Sequence, residues 1–312
     1  MKDIKNPYTS LLPDFLIIGA GKSGTTSLEF YLKQHPGIFL PDVKEPNFFA
    51  YEMRKEEDFE DLSTKEHYRQ SITTYPDYIN LFKIANENQK VGEISNIYLY
   101  SPLAVERIKH HLPNVKLMAI LRQPAERLFS RYTHLLRVNK TPSESFEDVF
   151  DRKSVWWKRP DLVQEGFYGK HLTKYFNSFD PSQLKIFFFE DLINAPDQLL
   201  EDMTAFIGVD NSFNFQTNTQ FNKSGKVKNK WVNKLVGHES IIMMAMKKSV
   251  PQLYQGIKDN VLLKRVVENM RSSNIQTLKL SPELKQKITE EIYNDDIKVL
   301  ESLIKTDLSH WR

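Results

Sequence analysis

The stretch FLIIGAGKSGTTSLEFYL, Phe15 to Leu32, decides how the rest of the chain is read. Four apolar residues, Phe15 to Ile18, run into a glycine-bearing turn, and an amphipathic helix leaves it. A strand, a tight loop and a helix in that order aim backbone amides at an anion on the helix axis, where the dipole adds to their pull. A Walker A loop shares this plan but needs a glycine five residues before its Gly-Lys-Ser. Here that position is Leu16, inside the apolar run. The loop is a shortened phosphate cradle. Lys22 supplies a mobile charge, the amides of Ser23, Gly24, Thr25, Thr26 and Ser27 face the anion, and Thr25 and Thr26 add hydroxyls. A turn closed by an ordinary Ser/Thr cap is the plain alternative.

Outward from this loop, strand-like and helix-like segments alternate. Phe15–Gly19 reads as a strand, Thr25–Gln34 as a helix, Gly37–Leu40 as a short strand, Pro76–Asn86 as a helix and Lys90–Ser95 as a strand. Ser101 with Pro102 reads as the start of a helix to His110. VKLMAIL, Val115–Leu121, is a buried strand followed by a helix from Pro124 to about Val138. Leu184–Phe189 is a further strand, and Pro196–Ile207 a helix closed by Gly208. Such alternation predicts an α/β fold, a P-loop-like, mostly parallel sheet flanked by helices. From Trp231 onward the pattern is helical, ending in a segment with Ser281 as cap and Pro282 in the first turn. One domain over 1–312 is expected, with a nucleotide-binding core over 14–231 and a helical carboxyl-terminal part over 232–312.

Composition narrows the chemistry. The 312 residues include no cysteine, which removes disulfides, thiolate nucleophiles and cysteine-held metals together. A formal charge of +3 gives no argument for a nucleic-acid partner. No apolar run approaches the roughly 18 residues of a membrane span, and no signal-peptide core precedes the first strand. A soluble cytoplasmic protein is the expectation. His110-His111 has no metal-binding spacing around it, so no metal site is expected.

A second anion site is legible in ILRQPAERLFSRYTHLL. Ligands of α/β sheets bind at the carboxyl ends of strands, where Arg122 falls, and Ser130 lies two turns into the following helix. An arginine fork with a serine hydroxyl suits phosphate. Arg127, Arg131 and Arg137 make the same helix basic, a pattern usually meaning only a solvated face. A third basic element, QFNKSGKVKNKW, places Lys223, Lys226, Lys228 and Lys230 around Gly225, with Lys234 just beyond, and the span holds no acid. It reads either as a lid over an anion or as an exposed loop. A kinase would need a magnesium-holding acid at a neighbouring strand end. VKLMAIL is followed by Arg122 instead, while Glu190-Asp191 after IFFF keeps a small-molecule kinase using Mg-ATP as the alternative.

Together these residues resemble the sulfotransferases that use 3′-phosphoadenosine 5′-phosphosulfate (PAPS), and within them the heparan-sulfate type and its bacterial relatives. Lys22, Gly24, Thr25 and Thr26 match the family's K-x-G-T-T loop, which holds the 5′-phosphosulfate. Arg122, Pro124, Arg127, Ser130 and Tyr132 match its R-x-P-x-x-R-x-x-S-x-Y motif, whose Arg and Ser bind the 3′-phosphate. GFYGKHL is similar to a later segment that brings a tyrosine, here Tyr168, near the nucleotide. NKSGKVKNKW is similar to the lysine-glycine loop that closes over the 3′-phosphate, through Gly225, Lys226 and Lys228. The resemblance runs from about Asp14 to Trp231 and resumes in DDIKVLESLIKTDLSHW. One departure stands out: GEISNIYL has Ile94 where heparan-sulfate enzymes often carry a lysine after the glutamate.

The resemblance implies PAPS as donor, no required metal, and transfer of a sulfuryl group to a hydroxyl or amino group of a carbohydrate, lipid or small metabolite. Lys22 would stabilise the leaving phosphate. Glu45, three positions before Phe48-Phe49, matches the family's acid in a Glu-x-x-Phe-Phe form and would be the base, with Glu93 as the next candidate. Read without the resemblance, Glu45 is also consistent with a surface carboxylate in an acidic stretch. Trp156-Trp157 reads either as a sugar-stacking platform or as a partly buried aromatic pair. Acceptor choice is expected from the loops near Ser63–Tyr78 and Arg152–Gly166.

Overall fold

A computed structural model describes residues 12–143, 145–217 and 278–312, together with the backbone of 226–227 and 275–276. Five strands form one sheet: β1 (Phe15–Ile17), β2 (Ile38–Phe39), β3 (Lys90–Ile94), β4 (Lys116–Leu121) and β5 (Leu184–Phe188). Their order is β2-β3-β1-β4-β5, and every pair is parallel. β1 is the middle strand. Phe15, Leu16 and Ile17 have no exposed surface, as a central strand covered on both faces requires. Leu16, where a Walker glycine would stand, is locked in register between Glu93 and Leu117.

Two apolar layers sandwich the sheet. One gathers Leu16 and Leu117 with Phe48, Phe49, Tyr98 and Tyr168; the other gathers Phe15, Ile17 and Met118 with Leu28, Leu199 and Met203. The helices Thr25–Leu32, Ala104–His111, Pro124–Arg137, Tyr168–Ser178 and Pro196–Ile207 supply these layers. Most expected boundaries lie within two residues of the observed ones. Gly208 closes its helix in the left-handed conformation at φ 89°, and Ser281 caps the Pro282–Ile288 helix by accepting from Leu284 N.

Three expectations need correction. The helix after Ser101 begins at Ala104, with Leu103 in the capping position, because Ser101 and Pro102 are spent in the preceding turn. The helix expected over Pro76–Asn86 is Tyr75–Asn80, followed by turns. The carboxyl-terminal part is not wholly helical: Ile275–Gln276 pairs antiparallel with Lys226–Val227. A two-residue ladder made with a partner some fifty positions away has no local periodicity to announce it.

The carboxyl-terminal helices close the core. The Asn294–Ile304 helix packs on Tyr168–Ser178, burying Ile297 and Leu300. Asp296 accepts from the amides of Gly169 and Lys170, each at 2.8 Å, and so caps a helix that has no cap of its own. Gln123 donates to Thr289 Oγ1 at 2.8 Å and to the Trp311 carbonyl at 3.0 Å while its own oxygen caps the Pro124–Arg137 helix. No described helix is long and apolar enough to cross a membrane.

Candidate active site

Because β1 and β4 are parallel neighbours, their carboxyl ends deliver the Lys22 loop and Arg122 to the same edge of the sheet. Ala20 N donates to the Ile120 carbonyl at 2.8 Å, so pairing persists up to the loop itself. Gly24 ends the loop at φ 93° and starts the helix without a side-chain cap; the Thr25 and Thr26 amides precede the first intrahelical bond, whereas Ser27 N, expected to face the anion, donates to the Gly24 carbonyl at 2.9 Å. A Cβ on Gly24 would stand 2.4 Å from Leu192 Cδ2 and 3.2 Å from Phe189 Cδ2. The Arg122 guanidinium lies 4.6 Å from the centroid of the same Phe189 ring. One phenyl ring therefore lies against both Gly24 of the loop and the Arg122 guanidinium.

The loop is prepared for charge. Ser23 is fully buried, and its hydroxyl has no partner among the described residues. Lys22, at φ 67°, is half-buried. Desolvation pushes its ammonium down to about 7; the positive charges of Arg131, Arg137 and Lys44 add to this, and Glu165 opposes it. A lysine so placed gains from an arriving anion, and near neutral pH it can part with a proton. The orphaned serine hydroxyl, the desolvated cation and the uncapped helix start together fit a phosphosulfate group.

Beneath the loop lies a pair that sequence reasoning missed. Glu165, 3% exposed, accepts from Gly21 N at 2.6 Å and from Arg127 Nη1 at 2.7 Å. Arg127 is not on a solvated face; it is fully buried and also donates to the Leu162 carbonyl. Burial pushes the Glu165 carboxyl up to about 7 against the pull of Arg127 and Arg131. Arg131 likewise turns inward to Asp161, which it shares with Arg159 at 2.8 Å. No residue type near Glu165 in sequence signals this role; its partners lie 144 and 38 positions away.

Around Arg122, the other expected residues take distinct places. Tyr168 is fully enclosed, and its hydroxyl donates to the Arg122 carbonyl at 3.0 Å, so it fixes the arginine from behind. Ser130 is 6% exposed on the following helix. The Lys226–Val227 backbone lies beside that helix, while Gly225 and Lys228 fall outside the described residues.

Glu45 stands beside the loop. Lys44 Nζ donates to Thr26 Oγ1 at 2.8 Å, and Thr25, Lys44 and Glu45 line one small concavity. Asn96 Nδ2 donates to Glu45 Oε1 at 2.9 Å. Glu93, the second expected base, lines the same concavity from the core. It is 1% exposed and receives three hydroxyls, from Tyr98 at 2.7 Å and from Tyr78 and Ser95 at 3.1 Å. Ser95 Oγ in turn accepts from Asn47 N at 3.0 Å, and Tyr98 OH from Phe49 N at 3.3 Å. Glu93 thus anchors the Glu45 segment from the core. Burial raises its carboxyl to about 7 against these three hydrogen bonds.

Trp156 is fully buried and Trp157 partly so, their ring nitrogens donating to Ser143 Oγ and the Val149 carbonyl. They are core, not a sugar platform. His111 faces Glu52 at 2.9 Å.

A family profile described as Sulfotransferase domain matches residues 12–294, and the chain belongs to that family. A bifunctional heparan sulfate N-deacetylase/N-sulfotransferase 4 of Mus musculus is 28% identical over 65% of this chain, and a membrane-associated sulfotransferase kil1 of Dictyostelium discoideum is 30% identical over 46%. The matched stretch spans 23% and 28% of the length of these two relatives. A solved sulfotransferase from Alicyclobacillus acidocaldarius is 26% identical, superposes with a TM-score of 0.70, and is covered over 99% of its length by 96% of this chain.

Proposed function

We propose that the chain moves a sulfuryl group from PAPS to a hydroxyl or amino group of a carbohydrate, lipid or small metabolite. The observation that carries this is the Phe189 ring against both the Lys22 loop and Arg122, which supports reading the two candidate anion sites as neighbours. The donor supplies an activated sulfur–oxygen bond; the protein's part is charge and position. The Lys22 loop and the first amides of the Thr25–Leu32 helix would hold the phosphosulfate, and Arg122 with Ser130 the 3′-phosphate. Glu45 accepts the acceptor's proton as the new oxygen–sulfur or nitrogen–sulfur bond forms. Asn96, bound to Oε1, fixes the carboxylate's direction. The bond from sulfur to the bridging phosphate oxygen breaks, and its electron pair stays on that oxygen, where Lys22 stabilises the charge.

The positive charges of Arg131, Arg137 and Lys44 are felt at Lys22, which supports a site that takes an anion. His67, in the first expected specificity loop, and Asp161 and Arg159, in the second, lie in one electrostatic neighbourhood with Glu45, which supports those loops as the acceptor side. The test is thermal unfolding with the product nucleotide, 3′-phosphoadenosine 5′-phosphate, in the presence of a chelator. At a hundredfold excess over its dissociation constant it should add about 2.7 kcal/mol. Stabilisation by Mg-ATP with none by the bisphosphate would replace this reading with a kinase. Labelled donor with an acceptor panel then identifies the product.

A further inference from the structure

Glu126 places an acid where a phosphate is expected. It stands four positions after Arg122 and four before Ser130, so Glu126 and Ser130 share one helical row. Its two oxygens meet different cations. Oε2 lies 3.2 Å from Arg122 Nη2 and 3.3 Å from its Nε, while Oε1 accepts from Lys285 Nζ at 2.6 Å. Lys285 comes from the Pro282–Ile288 helix, 159 positions away. All three side chains remain reachable, at 22%, 32% and 35% exposure for Arg122, Glu126 and Lys285.

Charge decides what Lys285 does. Although burial opposes it, Lys285 and Arg122 hold the Glu126 carboxyl below its ordinary value, so it is ionised at neutral pH. Arg122 and Glu126 alone sum to zero, a poor seat for a phosphate dianion. Lys285 makes the trio net positive. As a staple for the carboxyl-terminal segment the partly exposed pair is not needed, since Gln123 and Asp296 already tie that segment down.

We propose that Lys285 is a second cation for the nucleotide's 3′-phosphate, held in place beside Arg122 by Glu126. This rests on reading Arg122 as a 3′-phosphate contact.

Calorimetric titration with 3′-phosphoadenosine 5′-phosphate and with adenosine 5′-phosphate, which lacks the 3′ group, tests it. Lys285→Ala should weaken the bisphosphate about tenfold and leave the monophosphate unchanged, and Lys285→Arg should restore most of the loss. Equal weakening of both nucleotides, or of neither, would overturn the inference and leave Lys285 a structural tie. If the unmodified protein itself fails to prefer the bisphosphate, the nucleotide reading falls and takes this inference with it.

Discussion

Removing the Glu165 carboxylate tests whether the Lys22 loop is held from below. In Glu165→Ala, Gly21 N loses its 2.6 Å acceptor and the fully buried Arg127 loses its 2.7 Å counter-ion. Breaking a buried ion pair by deleting one partner costs about 3–5 kcal/mol. The Leu162 carbonyl still receives Arg127, which favours the lower half of that range, and the orphaned Gly21 amide adds about 1 kcal/mol or more. A total near 4 kcal/mol is a large share of the roughly 5–15 kcal/mol that stabilises a domain. Glu165→Gln keeps an oxygen for Gly21 N and removes only the charge, so its cost should be about half. Urea unfolding of the three proteins measures this ladder, and bisphosphate titration reports on the loop. Alanine and glutamine variants both within about 0.5 kcal/mol of the parent would mean that Arg127 and the loop do not depend on Glu165, and the reasoning would fail.

Bisphosphate affinity should fall as pH rises from 7.5 to 9.5, because the ligand's phosphates are already ionised there while Lys22, with a free-site value of about 7, must take up a proton to pair with them. The slope approaches tenfold per pH unit and disappears in Lys22→Met; a flat profile in the parent would show that Lys22 does not pair with the ligand. Glu45→Gln, which preserves an acceptor for Asn96, should lower turnover by about 10²–10⁴ with nucleotide affinity unchanged; retained turnover in a labelled-donor assay would exclude Glu45 as base. Gly24→Ala puts a methyl 2.4 Å from Leu192 Cδ2 at φ 93° and should both lower the unfolding temperature and weaken the nucleotide, whereas Ser27→Ala, on the same helix without that clash, should leave the temperature within about 1 °C.

The local grammar of the chain was enough for the sheet and the loop. Four of the five strands are short, mainly apolar runs stopped by glycine, proline or a charged residue, and the parallel direction follows from the helices between them. Lys22, Gly24, Thr25, Thr26 and Arg122 were legible because a loop at a strand end is a local event, fixed by backbone sterics within ten residues. Glu165 was not, nor were Arg127 as its partner, Lys285 as the second cation on Glu126, or Glu93 as the acceptor of three buried hydroxyls. Glu165, Arg127 and Lys285 act through partners brought from a distant part of the chain, and Glu93 through near neighbours whose hydroxyls converge on it only once it is buried; an arginine facing water reads the same in sequence as one facing a buried carboxylate. Residue type and spacing therefore nominated the groups proposed to meet an anion. Tertiary packing alone settled which charges are desolvated and paired, because desolvation depends on what covers a group and not on what precedes it.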